Sequence, residues 1–285
     1  MHAYRPLWLK FDAKQPMKYT LVTGASGGIG EALVRKLAQQ KHNLLLVARN
    51  EEKLAQISQQ LQDQYQIQVS FIAADLTQPD APVKIYEQTQ KQNWEIDLLI
   101  NNAGIGSGGE FAQLSLQSEL DLLQLNNASL VAMTHLFLQP MRARQQGTII
   151  NVASMAAFMP VPYMATYAAS KMFVRSFTEA LTQECKPYHV QVMLFAPGLT
   201  KTNFNQAAGI NNEKGVGLSA DYETAAVQMP EEVADELVNA LAAKKTFHVS
   251  GSRNRFGSRL LALLPNAMIT SAIARSYRKK LALQP

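Results

Sequence analysis

Short uninterrupted apolar runs recur along the chain at Tyr19 to Thr23, Asn43 to Ala48, Val69 to Ala74, Ile96 to Ile100, Thr148 to Val152, Val190 to Phe195 and Thr246 to Val249. They have strand length but lack the alternation of a half-buried strand, which predicts strands covered on both faces. Between them, apolar residues recur at helical spacing, as at Ile29, Leu33 and Leu37 before Gln40. Further helices are predicted over Glu51 to Tyr65, Pro79 to Gln92, Leu116 to Met141 without a break before Pro140, Tyr167 to about Glu184, and Pro230 to Ala243. The last opens on Pro230-Glu231-Glu232, a favourable first turn. Strand and helix alternate throughout, which predicts an α/β fold with one doubly wound parallel sheet of about seven strands and helices on both faces.

At 285 residues, 47% hydrophobic and 17% charged, the chain suits one large domain better than two. Residues 1–17, with Trp8, Leu9 and Phe11 between Pro6 and Pro16, have no clear period and are expected to form an arm packed on the body. That stretch lacks an apolar leader core and a small-residue cleavage site, and no apolar run approaches a membrane span. The single cysteine, Cys185, cannot form an internal disulfide, and no Cys/His pairs have metal-ligand spacing, so a reducing, cytoplasmic setting and no metal are expected. The net charge of +5 is unevenly spread: residues 244–285 carry nine of the 27 basic residues and none of the 22 acidic ones. No nucleic-acid module or aromatic stacking pattern accompanies the basic tail, so nucleic acid ranks last among its partners.

The candidate chemistry gathers at strand ends, where sites in such sheets lie. The first strand runs into Gly24-Ala25-Ser26-Gly27-Gly28-Ile29-Gly30 and then a helix. Gly24, Gly28 and Gly30 allow a tight turn and close approach of a pyrophosphate to the helix N-terminus, giving a Rossmann-type reading; the absence of Gly-Lys-Ser/Thr argues against a nucleotide triphosphatase. At the tip of the second strand, where an acid would bind a ribose 2′-hydroxyl, stands Arg49, suited to a 2′-phosphate and hence to NADP(H). Asp75, with Leu76, ends the third strand and is expected near the adenine; Asn101-Asn102-Ala103-Gly104 ends the fourth and is expected to bind loops or cofactor. Tyr167 and Lys171 lie four apart on one helix face, where an ammonium would pull the phenol pKa down for proton transfer. Ser154, just beyond the fifth strand, could hold a carbonyl oxygen, and the polar Asn126 inside an apolar helix is either satisfied locally or functional, with Asn127 beside it confusing the choice.

Together these residues resemble the short-chain dehydrogenase/reductases, over about residues 18–250. The motifs are Thr23-Gly24-x-x-x-Gly28-x-Gly30, Asn101 to Gly104, Asn126, Ser154, Tyr167-x-x-x-Lys171 and Pro197-Gly198. Small departures, Ala153 where serine is common and Ala157 where glycine is common, touch no catalytic position. The resemblance implies Tyr167 as acid/base, Lys171 lowering its pKa and binding the nicotinamide ribose, Ser154 on the substrate oxygen and Asn126 supporting a water relay. It further implies cofactor contacts at Thr23, Gly24, Ser26, Gly28, Ile29, Gly30, Arg49, Asp75, Leu76, Asn102, Ala103, Gly104, Tyr167, Lys171, Pro197, Gly198, Thr200 and Thr202. The activity implied is hydride transfer between NADP(H) and a carbonyl/alcohol pair by a homo-oligomer paired through helices near 115–140 and 165–185. The rival is a cofactor-binding regulator or scaffold that has kept the fold without turnover.

Residues 199–228 are expected to cover the substrate, and residues 251–285 form a basic extension beyond the family core. Met268, Ile269, Ala272, Ile273 and Tyr277 recur on one helix face, opposite Thr270, Ser271, Arg275 and Arg278. Two roles stay open for this helix: packing its stripe on the body or another subunit, or peripheral membrane contact together with Leu260, Leu261, Leu263 and Leu264, Arg275, Arg278, Lys279 and Lys280.

Overall fold

A computed structural model describes residues 16–202, 204, 227–261 and 263–280. The arm residues before Pro16 and most of the expected substrate-covering segment lie outside the described residues. Seven parallel strands, β1 (Met17–Thr23), β2 (Leu44–Ala48), β3 (Val69–Ala73), β4 (Trp94–Asn101), β5 (Gly147–Val152), β6 (Val190–Ala196) and β7 (Phe247–Val249), stand in the order β3-β2-β1-β4-β5-β6-β7. The predicted sheet is thus present, with strand ends differing by only a few residues.

The apolar strands are buried because helices cover both faces. On one side α1 (Gly28–Gln39), α2 (Glu51–Tyr65) and α7 (Pro230–Ala242) enclose Val22, Leu46, Ile100 and Phe195. On the other, α3 (Ala81–Lys91) and α5 (Ser129–Ala143) close over Leu21, Leu45, Leu99 and Ile149. Adjacent residues of a strand therefore enter different cores, which explains why the runs read as continuously apolar. Truncating one of these fully buried leucines, Leu46→Ala for example, would cost about 2–5 kcal/mol.

Two departures from the sequence reading bear on the site. The long helix after residue 115 is α4 (Leu116–Leu123) and α5 joined by a π-helical turn at Gln124–Ala128, with Pro140 inside its last turn. The extension contains a helix the pattern did not predict, α8 (Ser252–Leu261), before the expected one, α9 (Asn266–Lys280). The helix bearing Tyr167 and Lys171 is α6 (Ala165–Cys185).

A buried polar ladder sets the sheet against the helices that carry the chemistry. Asn101 Nδ2 donates to Asn151 Oδ1 at 2.9 Å and to Thr134 on α5 at 3.0 Å, while Asn151 Nδ2 donates to Thr178 on α6 at 3.0 Å. Asn101 is thus a structural amide joining β4, β5, α5 and α6. Because the strand order reverses between β1 and β4, their C-terminal ends diverge into a crevice.

Candidate active site

The crevice is a cleft of about 710 Å³ that runs from Arg49 at the end of β2, over the β1–α1 loop, to Tyr167 and Lys171. Its floor depends on absent side chains. A Cβ on Gly30 would collide with the Gly24 carbonyl oxygen, so helix and strand approach this closely only with glycine there. Gly24 and Gly28 have φ of +69° and +53°, and the space above Gly28 is met by Thr202. The α1 N-cap, Gly27, has no capping side chain and nothing within 4 Å of where a Cβ would sit, so the first-turn amides of α1 open on the cleft.

Thr23 holds this loop to the next one. Its hydroxyl accepts from the backbone N–H of Asn102 and of Ala103, each at 3.0 Å, and Asn102 Nδ2 donates to the Thr23 carbonyl at 3.0 Å. Thr23 is buried and positions the cleft wall without lining it. Ser26, Ile29, Arg49, Asn102, Ala103, Gly104, Pro197, Gly198, Thr200 and Thr202 all line the cleft. Asp75 and Leu76 do not: the Asp75 carboxylate accepts from the Thr77 N–H and hydroxyl, and Leu76 is buried in the core.

The catalytic candidates converge at the other end of the cleft. Ser154 leaves β5 in an extended conformation, its Oγ accepting from the Ala156 N–H at 3.2 Å. Burial pushes the Tyr167 hydroxyl above its ordinary pKa, with the hydrogen bond from Ser154 acting in the opposite sense. Burial also pulls Lys171 down from 10.5 to about 8; its Nζ donates to the Val152 carbonyl at 3.1 Å. The expected lowering of the phenol by the ammonium is not what these positions produce: desolvation is the largest influence on both groups.

Asn126 lies in the π-helical turn, and the widened backbone turns its amide toward the β4 loop. Asn126 Oδ1 accepts from the Ile105 N–H and Nδ2 donates to the Ile105 carbonyl, both at 2.9 Å, with Nδ2 also donating to Ser170 Oγ at 3.1 Å. Asn127, in the same turn, instead donates from Nδ2 to the Ser170 carbonyl on α6 at 2.9 Å, so the two neighbouring amides have separate tasks.

Several lining residues carry no motif. Beyond Tyr167 the wall is apolar, formed by Met155, Met159, Val161, Met164, Ile273 and Tyr277. The last two come from α9, whose Ile269, Ile273 and Tyr277 face the body; the Tyr277 ring stacks on Tyr163 with centroids 5.9 Å apart. The spacing of that stripe was visible in sequence, but nothing local told which surface it would cover. Asn254 on α8 also enters the cleft, packed against Gly198 so closely that a Cβ on Gly198 would overlap its amide.

A glycine-lined anion cradle, an arginine with no partner among the described residues, and half-buried Ser154 beside buried Tyr167 and Lys171 in one crevice of a parallel sheet define a dinucleotide-dependent dehydrogenase or reductase. A model of the short chain dehydrogenase family matches residues 18–213, and the chain belongs to that family. It is 28% identical over 238 residues to a 7beta-hydroxysteroid dehydrogenase of Mediterraneibacter gnavus, covering 84% of this chain and 88% of that one. With the mouse (Mus musculus) 3-ketodihydrosphingosine reductase it shares 32% identity over 228 residues, covering 78% and 68% of the two chains. Among solved structures, a short-chain dehydrogenase from Sphingobium yanoikuyae in complex with NADPH superposes with a TM-score of 0.74 at 25% identity, covering 94% of this chain and 96% of that one.

Proposed function

We propose that the protein reduces a lipophilic carbonyl compound, or oxidises the matching alcohol, with NADP(H) as the hydride carrier. The observation that carries this reading is the placing of Ser154, Tyr167 and Lys171 where the glycine-floored half of the cleft meets its apolar half. The glycine loop, the open amides of α1 and Arg49 fit a dinucleotide, and Arg49 has no partner among the described hydrogen bonds and ion pairs, leaving its guanidinium for a 2′-phosphate. The cofactor supplies the hydride when bound. The protein does the rest: Ser154 holds the substrate oxygen, the neutral Tyr167 hydroxyl gives it a proton, and Lys171 holds the cofactor end beside Tyr167 and takes part in refilling the phenol. The amide of Asn126, behind Gly104, supports the water path to Lys171.

Relatives acting on hydroxysteroid and ketosphingoid compounds agree with an apolar substrate end. The working form is a homo-oligomer: Leu116, Leu120 and Leu123 lie exposed along one face of α4, and Phe173, exposed on α6, stacks on Phe177, which supports pairing of these helices with a second copy. Among the described residues no helix is long and apolar enough to cross a membrane. Peripheral membrane contact falls to the C-terminal extension.

NADPH oxidation measured against ketones of graded chain length, with wild type and Tyr167→Phe, tests the reading. Turnover that rises with apolar length and falls at least about 10²-fold in Tyr167→Phe, with NADPH affinity kept, is expected. Undiminished turnover in that variant would overturn the role of Tyr167, and cofactor binding without turnover of any ketone would leave the scaffold reading in its place.

A further inference from the structure

The C-terminal pair α8 and α9 has two unlike sides. The inner side is anchored: Arg255 Nη1 donates to Glu236 at 2.8 Å and to the Val249 carbonyl at 3.1 Å, Ser258 is buried, and Ile269, Ile273 and Tyr277 pack on the body. The outer side is apolar. Phe256 and Leu260, four apart on α8 and opposite Ser258, are exposed, as are Leu263 and Leu264 in the turn and Met268 at the start of α9. Leu263 is 80% and Phe256 71% exposed. Single exposed apolar residues are ordinary, but five large ones within residues 256–268 gather on α8, the turn after it and the start of α9. Arg253, Arg259, Arg275 and Arg278 are exposed on the same helices, and no acidic residue follows Glu236 in the chain.

We propose that this helix pair docks the protein on an anionic lipid surface, the exposed Phe256, Leu260, Leu263, Leu264 and Met268 entering the headgroup boundary and the exposed arginines of the same helices binding lipid phosphates. Of the residues named from sequence for membrane contact, Leu260, Leu263, Leu264 and Met268 are exposed here, while Ile269, Ile273 and Tyr277 face the body. Charge decides between lipid and a second copy. A twofold contact would bring the same patch onto itself, placing arginines against arginines with no acid on either helix to compensate, whereas anionic headgroups offset them. Because α8 and α9 also line the cleft through Asn254, Ile273 and Tyr277, docking holds the apolar end of the cleft beside the bilayer, so that a membrane-dissolved ketone enters without crossing water. This last consequence rests on the reductase reading; the docking itself does not.

The test is co-sedimentation of the full chain with phosphatidylglycerol-rich and with phosphatidylcholine vesicles at low and high salt, for wild type and Leu260→Ser/Leu263→Ser. Both leucines are exposed and outside the cleft, so folding and turnover of a water-soluble ketone are expected to be unchanged. Binding to the anionic vesicles at low salt, weakened by salt and by about tenfold or more in the double variant, is expected. Turnover of a vesicle-dissolved ketone falls with it. Absence of binding to anionic vesicles, equal binding to neutral ones, or a double variant that binds as wild type while losing its self-association in sedimentation velocity would overturn the proposal. Should neither ketone oxidise NADPH, the reductase reading fails while the vesicle result still stands or falls alone.

Discussion

Asn126 and Lys171 converge on the bare side of Gly104: the Asn126 Oδ1 and the Lys171 Nζ lie 3.1 and 3.3 Å from the point a Cβ on that glycine would occupy. The two groups come from different helices and meet only across the β4 loop. Gly104 is free of positive-φ strain, so its lack of a side chain serves this meeting and not a turn. Gly104→Ala is expected to keep the fold, with thermal unfolding within a few degrees of wild type, while turnover drops by roughly 10- to 100-fold through displaced catalytic groups. Calorimetry beside steady-state kinetics checks it; wild-type turnover would refute the assigned convergence.

Lys171 sets a conflict between stability and activity. Its folded pKa of about 8 lies below its ordinary 10.5, so from pH 8 to 10.5 the unfolded chain binds more protons and stability rises with pH. Below pH 8 both states carry the proton and the buried charge costs stability. Lys171→Met should therefore be more stable than wild type at pH 7, by roughly 1–3 kcal/mol, with the gap closing toward pH 10 and turnover lost at every pH. Urea denaturation across that range is the measurement, and a gap independent of pH would contradict it.

The proposed NADP(H) preference rests on Arg49. Arg49→Ala is expected to weaken NADPH binding by roughly 10- to 100-fold and leave NADH nearly unchanged, the loss belonging to charge-assisted bonds to the phosphate. Titration of both cofactors by fluorescence decides. An equal loss for both would show that Arg49 shapes the cleft without reading the phosphate.

Glu236 ties α7 to the C-terminal helix pair. Burial works against its ionisation, but bonds from His248, Gly251, Arg255 and Gln228 together hold its carboxyl below the ordinary value. A depressed folded pKa adds stability that is present above the unfolded value and lost as pH falls through the folded one. Glu236→Gln should lower the unfolding temperature at pH 7 and flatten its decline in acid, read by thermal melts over pH 3 to 7 on the order of one pH unit apart. A variant whose melting follows wild type at both ends would remove the anchoring role.

The α4 and α6 apolar faces predict their own outcome. Leu120→Asp, at an exposed position, is expected to shift the protein toward monomer in sedimentation velocity without unfolding it. A wild type that sediments as monomer at micromolar concentration would end the pairing proposal.

Much of this protein was legible before any fold was known, because its signals are local. An apolar run between turns reads as a strand whatever its neighbours, glycines before a helix announce a close backbone approach, and Tyr167 and Lys171 share a face through helical geometry alone. Tertiary structure decided what depends on distant partners. Burial from several elements, not the Lys171 charge, sets the proton affinity of Tyr167. The π-helical turn that aims Asn126 at Ile105 has no residue-by-residue mark in an apolar helical pattern. The C-terminal helix shows the division most sharply: its amphipathic spacing was readable, but spacing states only that one face seeks cover, and the surface of Tyr163 and Met164, more than a hundred residues away, is what supplied it.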